Sequence, residues 1–206
     1  MAKIHPQALL SSSTPPSYFT SKQETFTIWM KSLLLSGTGC TVYDSNGAVV
    51  YRVDNYNCKC GNEVFLMDLE GNVLFTILRK KLKMFSCWEG YRSGGDAEKV
   101  KQSKPGFQVR KNLSLVKAGL ACRVSVGLDK NQPSAEYTIE TCIRNGKPTC
   151  RIVDKSGLHI AEVTRKQSTG GIIFGEDVLT MVVEPSMDHS LIMGMLIVYN
   201  LINYKL

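Results

Sequence analysis

The chain has 206 residues, 43% of them hydrophobic and 21% charged, which is typical of a globular domain and excludes an intrinsically disordered chain. The formal net charge of +7 is concentrated, because residues 79–117 hold 11 Lys and Arg against 3 Asp and Glu, whereas the other 167 residues hold 14 against 15. Seven cysteines, an odd number, and a start without the apolar core of a secretory signal argue against a disulfide framework and predict free thiols in a reducing compartment.

The first segment, residues 1–24, contains a run of Ser, Thr and Pro from Ser11 to Pro16 and shows no sustained periodicity. It is predicted to be a mobile or loosely packed lead-in. From residue 25 onward, short β-rich runs alternate with turn signals up to the C-terminal segment. We therefore expect one domain over residues 25–206.

Three β-hairpins are predicted within this domain. In each, β-rich runs flank a four-residue turn that begins with Asp and ends with Gly, at 44–47, 68–71 and 154–157. The Asp side chain can hydrogen-bond the backbone ahead of it, and Gly readily takes a positive φ. The second and third turns are followed at identical spacing by Arg79-Lys80 and Arg165-Lys166, which suggests two related halves that close into one sheet.

The C-terminal segment predicts one buried helix. Residues 191–202 are apolar except for Gly194 and Asn200, and Pro185 followed by Ser186 or Asp188 supplies a helix start. Twelve residues rise about 18 Å, against about 30 Å for a bilayer core, so no transmembrane span is expected. A helix that is apolar all round must be buried on every side, and short strands can surround it as a closed barrel.

Several strings, taken in order, resemble the plant LURP-one-related family. They are residues 26–33, 41–47, 51–56, 66–68, 78–81 and 88–91, followed by Met187-Asp188 ahead of the apolar helix. The resemblance covers about residues 26–204. It implies a mainly β fold, a closed twelve-stranded antiparallel β-barrel around a central C-terminal hydrophobic helix, as in the tubby C-terminal domain and the phospholipid scramblases. It also implies a plant protein of unsettled biochemistry with a link to pathogen response.

The excess positive charge defines a candidate site for an anionic ligand. Its residues are Arg79, Lys80, Lys81, Lys83, Lys99, Lys101, Lys104, Arg110 and Lys111. Strand alternation places Arg79, Lys81 and Lys83 on one face and Lys80 on the other. The functional interpretation is binding to phosphoinositides or an anionic membrane, where each basic residue is worth about 1 kcal/mol. The alternative is a set of solvated lysines that protect strand edges from aggregation.

Two further partners or activities compete with this hypothesis. Nucleic acid is favoured by Trp88, Tyr91 and Phe107, which interleave with the basic residues as a stacking platform would, although no known nucleic-acid-binding motif is present. Core aromatics explain the same residues. A scramblase-like lipid-handling protein is the other alternative, and it requires a calcium site and a membrane helix that the sequence does not indicate.

No catalytic constellation, metal site or cofactor is predicted. Cys58 and Cys60 lie on one face of a predicted strand, but a zinc site needs a second pair of ligands, and the three histidines stand apart in sequence. We expect a monomeric, non-enzymatic binding module, acting as an anionic-membrane-binding signalling protein or a membrane-tethered transcriptional regulator. Its expected location is the cytoplasm or nucleus, or the periphery of the plasma membrane.

Overall fold

The computed structural model describes residues 18–30, 39–54, 62–81, 86–92, 104–111, 121–127, 134–144, 146–167, 174–175 and 177–203, with the backbone alone for residues 81 and 86. Within these residues, twelve strands and one helix follow in chain order. They are β1 Glu24–Trp29, β2 Cys40–Tyr43, β3 Val49–Asp54, β4 Glu63–Asp68, β5 Val73–Lys81, β6 Ser86–Arg92, β7 Phe107–Lys111, β8 Ala121–Val126, β9 Ala135–Arg144, β10 Lys147–Asp154, β11 His159–Arg165, β12 Val178–Val183 and α1 His189–Asn203.

The strands form one closed antiparallel barrel. Each strand pairs with its neighbours in sequence, and β1 pairs with β12 from Glu24↔Val183 to Trp29↔Val178, which closes the ring. Closure leaves no unpaired strand edge. The helix α1 fills the interior, where residues such as Ile192, Met193 and Met195 are fully buried. The twelve-stranded barrel around a C-terminal helix that the resemblance implies is therefore confirmed.

The barrel has two distinct ends, because successive strands alternate in direction. Even-numbered strands run toward the end at which α1 begins, which we call the N end. Odd-numbered strands run toward the end at which α1 finishes, the C end. β2, β4, β6, β10 and β12 therefore finish at the N end, and β1, β5, β7, β9 and β11 finish at the C end.

The three predicted hairpins are confirmed, and their turns share one geometry. The Asp44 Oδ1 atom accepts hydrogen bonds from the backbone N–H groups of Asn46 and Ala48 at 2.9 and 2.8 Å. Asp154 Oδ1 does the same for Ser156 and Leu158, both at 2.8 Å. The closing glycines, among them Gly47 at φ 83°, adopt the left-handed conformation that disfavours a side chain. These turns fix the register of the strands on either side.

Asp188 begins the helix, as the sequence allowed. Its Oδ1 atom accepts hydrogen bonds from the backbone N–H groups of Ser190 and Leu191 at 3.0 and 3.1 Å, which satisfies two donors of the first helical turn. Its Oδ2 atom pairs with Arg92 at 2.5 Å. The helix runs two residues earlier and one later than the apolar segment 191–202.

The end of the predicted lead-in packs onto this helix start. The carbonyl of Tyr18 accepts a hydrogen bond from the His189 N–H at 3.0 Å, and that of Thr20 accepts one from Ser186 at 2.7 Å. β1 then begins at Glu24. Residues 1–17 lie outside the described part of the chain.

Candidate functional site

Three basic side chains form a row across the outside of the barrel near its C end. Lys80 of β5 lies opposite Cys87 of β6, Cys87 lies opposite Arg110 of β7, and Arg110 lies opposite Arg123 of β8. Residues directly opposite each other project from the same face of a sheet. This face is the outer one, because the strand neighbours Ile77, Val109 and Val124 are fully buried in the interior. We call Lys80, Arg110 and Arg123 the basic row.

The row is concentrated and exposed. Adjacent strands lie about 4.8 Å apart, so the three charges span about 14 Å across four strands. Arg110 and Arg123 are exposed and face each other directly. Like charges in directly opposed positions destabilise a sheet. Within the described residues, no carboxylate lies within ion-pair distance of either guanidinium, so a bound anion would relieve the repulsion.

The charges around the row explain why no acid neutralises it. Glu89, the nearest carboxylate of β6, accepts a hydrogen bond from the Tyr91 hydroxyl at 2.5 Å and one from the Gln108 amide at 2.8 Å. Both donors are neutral, and their hydrogen bonds hold the Glu89 carboxylate away from the basic row. Lys80 lies 5.7 Å from the centre of the Tyr91 ring, a cation–π distance that holds the amine over this face.

Cys87 lies in the row between Lys80 and Arg110, and the charges of both residues affect the pKa of its thiol. The side chain is 1% exposed. Burial raises the pKa of its thiol most, the Glu89 carboxylate raises this pKa further, and the positive charges of Arg110 and Lys80 lower it. The net result is a raised pKa, so the thiol is neutral at pH 7. Lys80 and Arg110 lie directly opposite Cys87 on the two neighbouring strands, so the two cations flank it.

The structure gathers some of the predicted basic residues and separates others. Arg79 and Lys111 are exposed at the C-end tips of β5 and β7, close to the row. Lys104 precedes β7 at the N end, at the opposite end of that strand from Lys111. For Lys81 only the backbone is described. Lys83, Lys99 and Lys101 lie outside the described residues.

Arg123 is the member of the row that sequence reasoning missed. It lies outside the charge-rich stretch 79–117, and one isolated arginine on a strand carries no signal of its own. The pairing of β7 with β8 brings it opposite Arg110. The alternation of exposed Arg123 between buried Cys122 and Val124 was the available signal that it faces outward.

The aromatic residues of the competing nucleic-acid hypothesis are not available for stacking. Trp88, Tyr91 and Phe107 are 4%, 3% and 0% exposed. Trp88 and Phe107 point into the barrel, where Phe107 packs edge-on against Phe75 with ring centres 5.4 Å apart. A stacking platform needs exposed ring faces. Burial agrees with the interpretation of Trp88 and Phe107 as core aromatics, whereas Tyr91 packs with Leu78 in a separate cluster on the outer face.

The described cysteines are all free thiols: Cys40, Cys87, Cys122, Cys142 and Cys150. Cys142 and Cys150 lie on opposite faces of the sheet, because Cys142 pairs with Thr149 and Cys150 with Thr141. Among the described residues, no three His, Cys, Asp or Glu side chains are grouped as metal ligands would be. Cys58 and Cys60 lie outside the described residues.

Further basic residues surround the C end of the barrel. Arg144 and Lys147 flank the β9–β10 turn, and Arg165 ends β11; all three are exposed. Arg144 pairs with Glu162 at 2.8 Å.

The helix that the structure describes is not both long enough and apolar enough to cross a bilayer.

By its fold, the protein is a closed twelve-stranded antiparallel β-barrel with a central C-terminal helix, and it carries a row of bases on its outer face. The family model described as LURP-one-related matches residues 24–200, so the chain belongs to the LURP-one-related family. Its relatives include three Arabidopsis thaliana proteins. Protein LURP-one-related 11 is 44% identical over 98% of this chain and 89% of its own length, LURP-one-related 4 is 42% identical over 98% and 87%, and LURP-one-related 3 is 45% identical over 92% and 84%.

A solved structure supports the fold independently. The X-ray structure of an Arabidopsis thaliana protein matches 90% of this chain and 94% of its own chain with a TM-score of 0.60. At 16% sequence identity, this likeness shows the fold alone.

Proposed function

We propose that the protein is a non-enzymatic module that binds anionic phospholipid headgroups through the basic row. The observation that carries the proposal is the direct opposition of Arg110 and Arg123 on the outer face, with Lys80 two strands away. Guanidinium groups bind phosphate oxygens through two parallel hydrogen bonds, and two of them side by side suit a phosphorylated headgroup. In this role the protein is a peripheral signalling component, and the link to pathogen response stays a prediction.

The position of the row favours a membrane over a free ion. It lies at the C end, where Arg79 and Lys111 add charge at the strand tips. A planar anionic surface can contact several such residues together, and each is worth about 1 kcal/mol. A lipid bilayer can therefore contact the basic row, Arg79 and Lys111 at the same time.

The test is flotation of the full chain with phosphatidylcholine vesicles that contain a phosphoinositide. The variant with Arg110→Glu and Arg123→Glu should reduce the vesicle-bound fraction by about tenfold or more, because two attractive charges become repulsive. The matched control is the variant with Lys22→Glu and Lys155→Glu, which changes the net charge equally at two exposed lysines of the N end. This control should bind vesicles almost as the wild type does.

Three outcomes overturn the proposal. The first is failure of the wild-type protein to float with phosphoinositide vesicles at low salt. The control variant can lose as much binding as the arginine variant, in which case net charge and not the row attracts the protein. Binding of the wild type to single-stranded nucleic acid but not to vesicles assigns the row to the competing partner.

A further inference from the structure

A cavity enters the C end of the barrel beside the last turns of α1. Its volume is about 330 Å³, and it lies between the helix and the strands β9 to β12. This volume equals that of about eleven water molecules in the liquid and falls at the small end of the range of ligand pockets, about 300–1,000 Å³. The basic row lies on the outer surface of β5 to β8, so the cavity is separate from it.

The floor of the cavity is apolar. Leu196 of α1 and Val163 of β11 are 2% and 5% exposed. Cys150 of β10 lies in the same wall, and burial raises the pKa of its thiol to about 12. A neutral thiol and two aliphatic side chains favour an aliphatic or aromatic group over water.

Hydroxyl groups line the side of the cavity. The Tyr199 hydroxyl of α1 is hydrogen-bonded to the Thr141 hydroxyl of β9, which joins the end of the helix to the wall. Thr141 lies opposite Cys150 on the inner face of the sheet, so this hydroxyl pair and the Cys150 thiol share one wall of the cavity.

The rim of the cavity is positively charged. Arg165 is the one charged side chain in the described lining, and it is exposed at the end of β11. The C-terminal end of a helix carries partial negative charge, so α1 itself does not favour an anion there and Arg165 must do so.

We propose that this cavity binds a small monocarboxylate with an apolar body, with the body against Leu196 and Val163 and the carboxylate at the Arg165 rim. The size of the cavity limits the body to a short alkyl chain or a single aromatic ring. The carboxylate interacts with Arg165 through charge-assisted hydrogen bonds, which are about twice as strong as neutral ones. This second site is independent of headgroup binding by the basic row.

The experiment is calorimetric titration of the full chain with sodium octanoate, and with octyl alcohol as its uncharged analogue. The wild type should bind octanoate, and octyl alcohol should bind about tenfold more weakly because it lacks the charge. Arg165→Gln should weaken octanoate binding by a similar factor. The matched charge control is Lys155→Gln at the N end, which should leave octanoate affinity unchanged.

A second pair of variants tests the location. Val163→Phe fills the floor and should abolish octanoate binding, whereas Val182→Phe makes the same substitution on the outer face of β12 and should have no effect. If Val163→Phe does not fold, Leu179→Phe reduces the same cavity from a partly exposed position. Vesicle binding should be unchanged in Val163→Phe, Val182→Phe and Leu179→Phe, which alter no charge, so failure here and failure of the headgroup proposal are distinguishable.

The inference is wrong if octanoate does not bind the wild type, or binds the filled and wild-type cavities equally well. It is also wrong if octyl alcohol binds as tightly as octanoate, because the rim then contributes nothing to recognition.

Discussion

At the scale of single residues, the N end of the barrel depends on a buried polar contact. The Tyr51 hydroxyl lies 2.5 Å from Nδ1 of His189, and the pair packs against Phe26. Burial raises the pKa of Tyr51, so its hydroxyl keeps its proton and donates to a neutral imidazole. Burial also lowers the pKa of His189 from 6.5, although the charges of Asp188 and Glu24 act in the opposite direction.

This contact predicts a pH dependence of stability. Above about pH 6.5 the ring is neutral in both the folded and the unfolded chain, and its contribution is fully present. As the pH falls below 6.5, the unfolded chain binds a proton that the folded protein does not, so the free energy of unfolding should fall by up to about 1.4 kcal/mol per pH unit. Urea unfolding between pH 5.5 and 7.5 measures this slope.

His189→Gln provides the comparison, because it removes the titrating group from the same position. Its slope should be smaller than that of the wild type, whatever the loss of the Tyr51 hydrogen bond does to absolute stability. Equal slopes for the two proteins would show that another group is responsible.

At the scale of elements, the closest approach of helix and barrel depends on two glycines around Phe107. A Cβ atom at Gly90 of β6 would lie 2.0 Å from Cε1 of the Phe107 ring, and one at Gly194 of α1 would lie 3.2 Å from it. The Phe107 ring of β7 therefore fits beside β6 only because Gly90 has no Cβ atom, whereas a Cβ atom at Gly194 would require a shift of a few tenths of an ångström. Interior packing at this density does not tolerate an added methyl group.

Gly90→Ala is therefore expected to destabilise the fold by about 3 kcal/mol, because the ring must leave its position. Gly106→Ala is the matched control, since its added Cβ would find ordinary contacts at 3.6 Å or more. Urea unfolding of both variants measures the difference. Similar stabilities would mean that Phe107 can move at little cost and that the glycine does not set the packing.

Local chemistry made the elements predictable, whereas the site depends on how they pair. The Asp-to-Gly turns and the apolar run at 191–202 carry their own signals, so the hairpins and the helix could be derived from the sequence. The basic row could not, because Lys80, Arg110 and Arg123 become neighbours only through the pairing of β5 to β8. Lys104 fits the same charge pattern as Lys111, yet strand direction places it at the other end.

At the scale of the whole molecule, charge is arranged along the barrel axis. Carboxylates occupy the N-end turns and the approach to the helix: Asp44, Asp68, Glu70, Asp154, Glu184 and Asp188. Lys22, Lys104 and Lys155 offset part of this charge. Exposed bases are more numerous at the C end, where Arg79, Lys111, Arg144, Lys147 and Arg165 outnumber the carboxylates Asp54, Glu63 and Asp177. A molecule with this polarity orients in the field of an anionic surface.

The repeated turns, which suggested two related halves, occupy corresponding positions in the barrel. The β4–β5 and β10–β11 turns lie six strands apart, and both lie at the N end.

The axis predicts how the protein lies on a membrane. On vesicles containing a phosphoinositide, hydrogen exchange should slow in the C-end segments of β5, β7 and β8, where the basic row lies, and should be unchanged in the turns at 44–47 and 154–157. Attraction between exposed charges reaches about 8 Å at physiological ionic strength and about 3 Å at 1 M salt, so the protection should disappear at high salt. Vesicles of phosphatidylcholine alone should give no protection at either salt concentration. Protection of the N-end turns, or protection that persists at high salt, would contradict an orientation set by the basic end of the barrel.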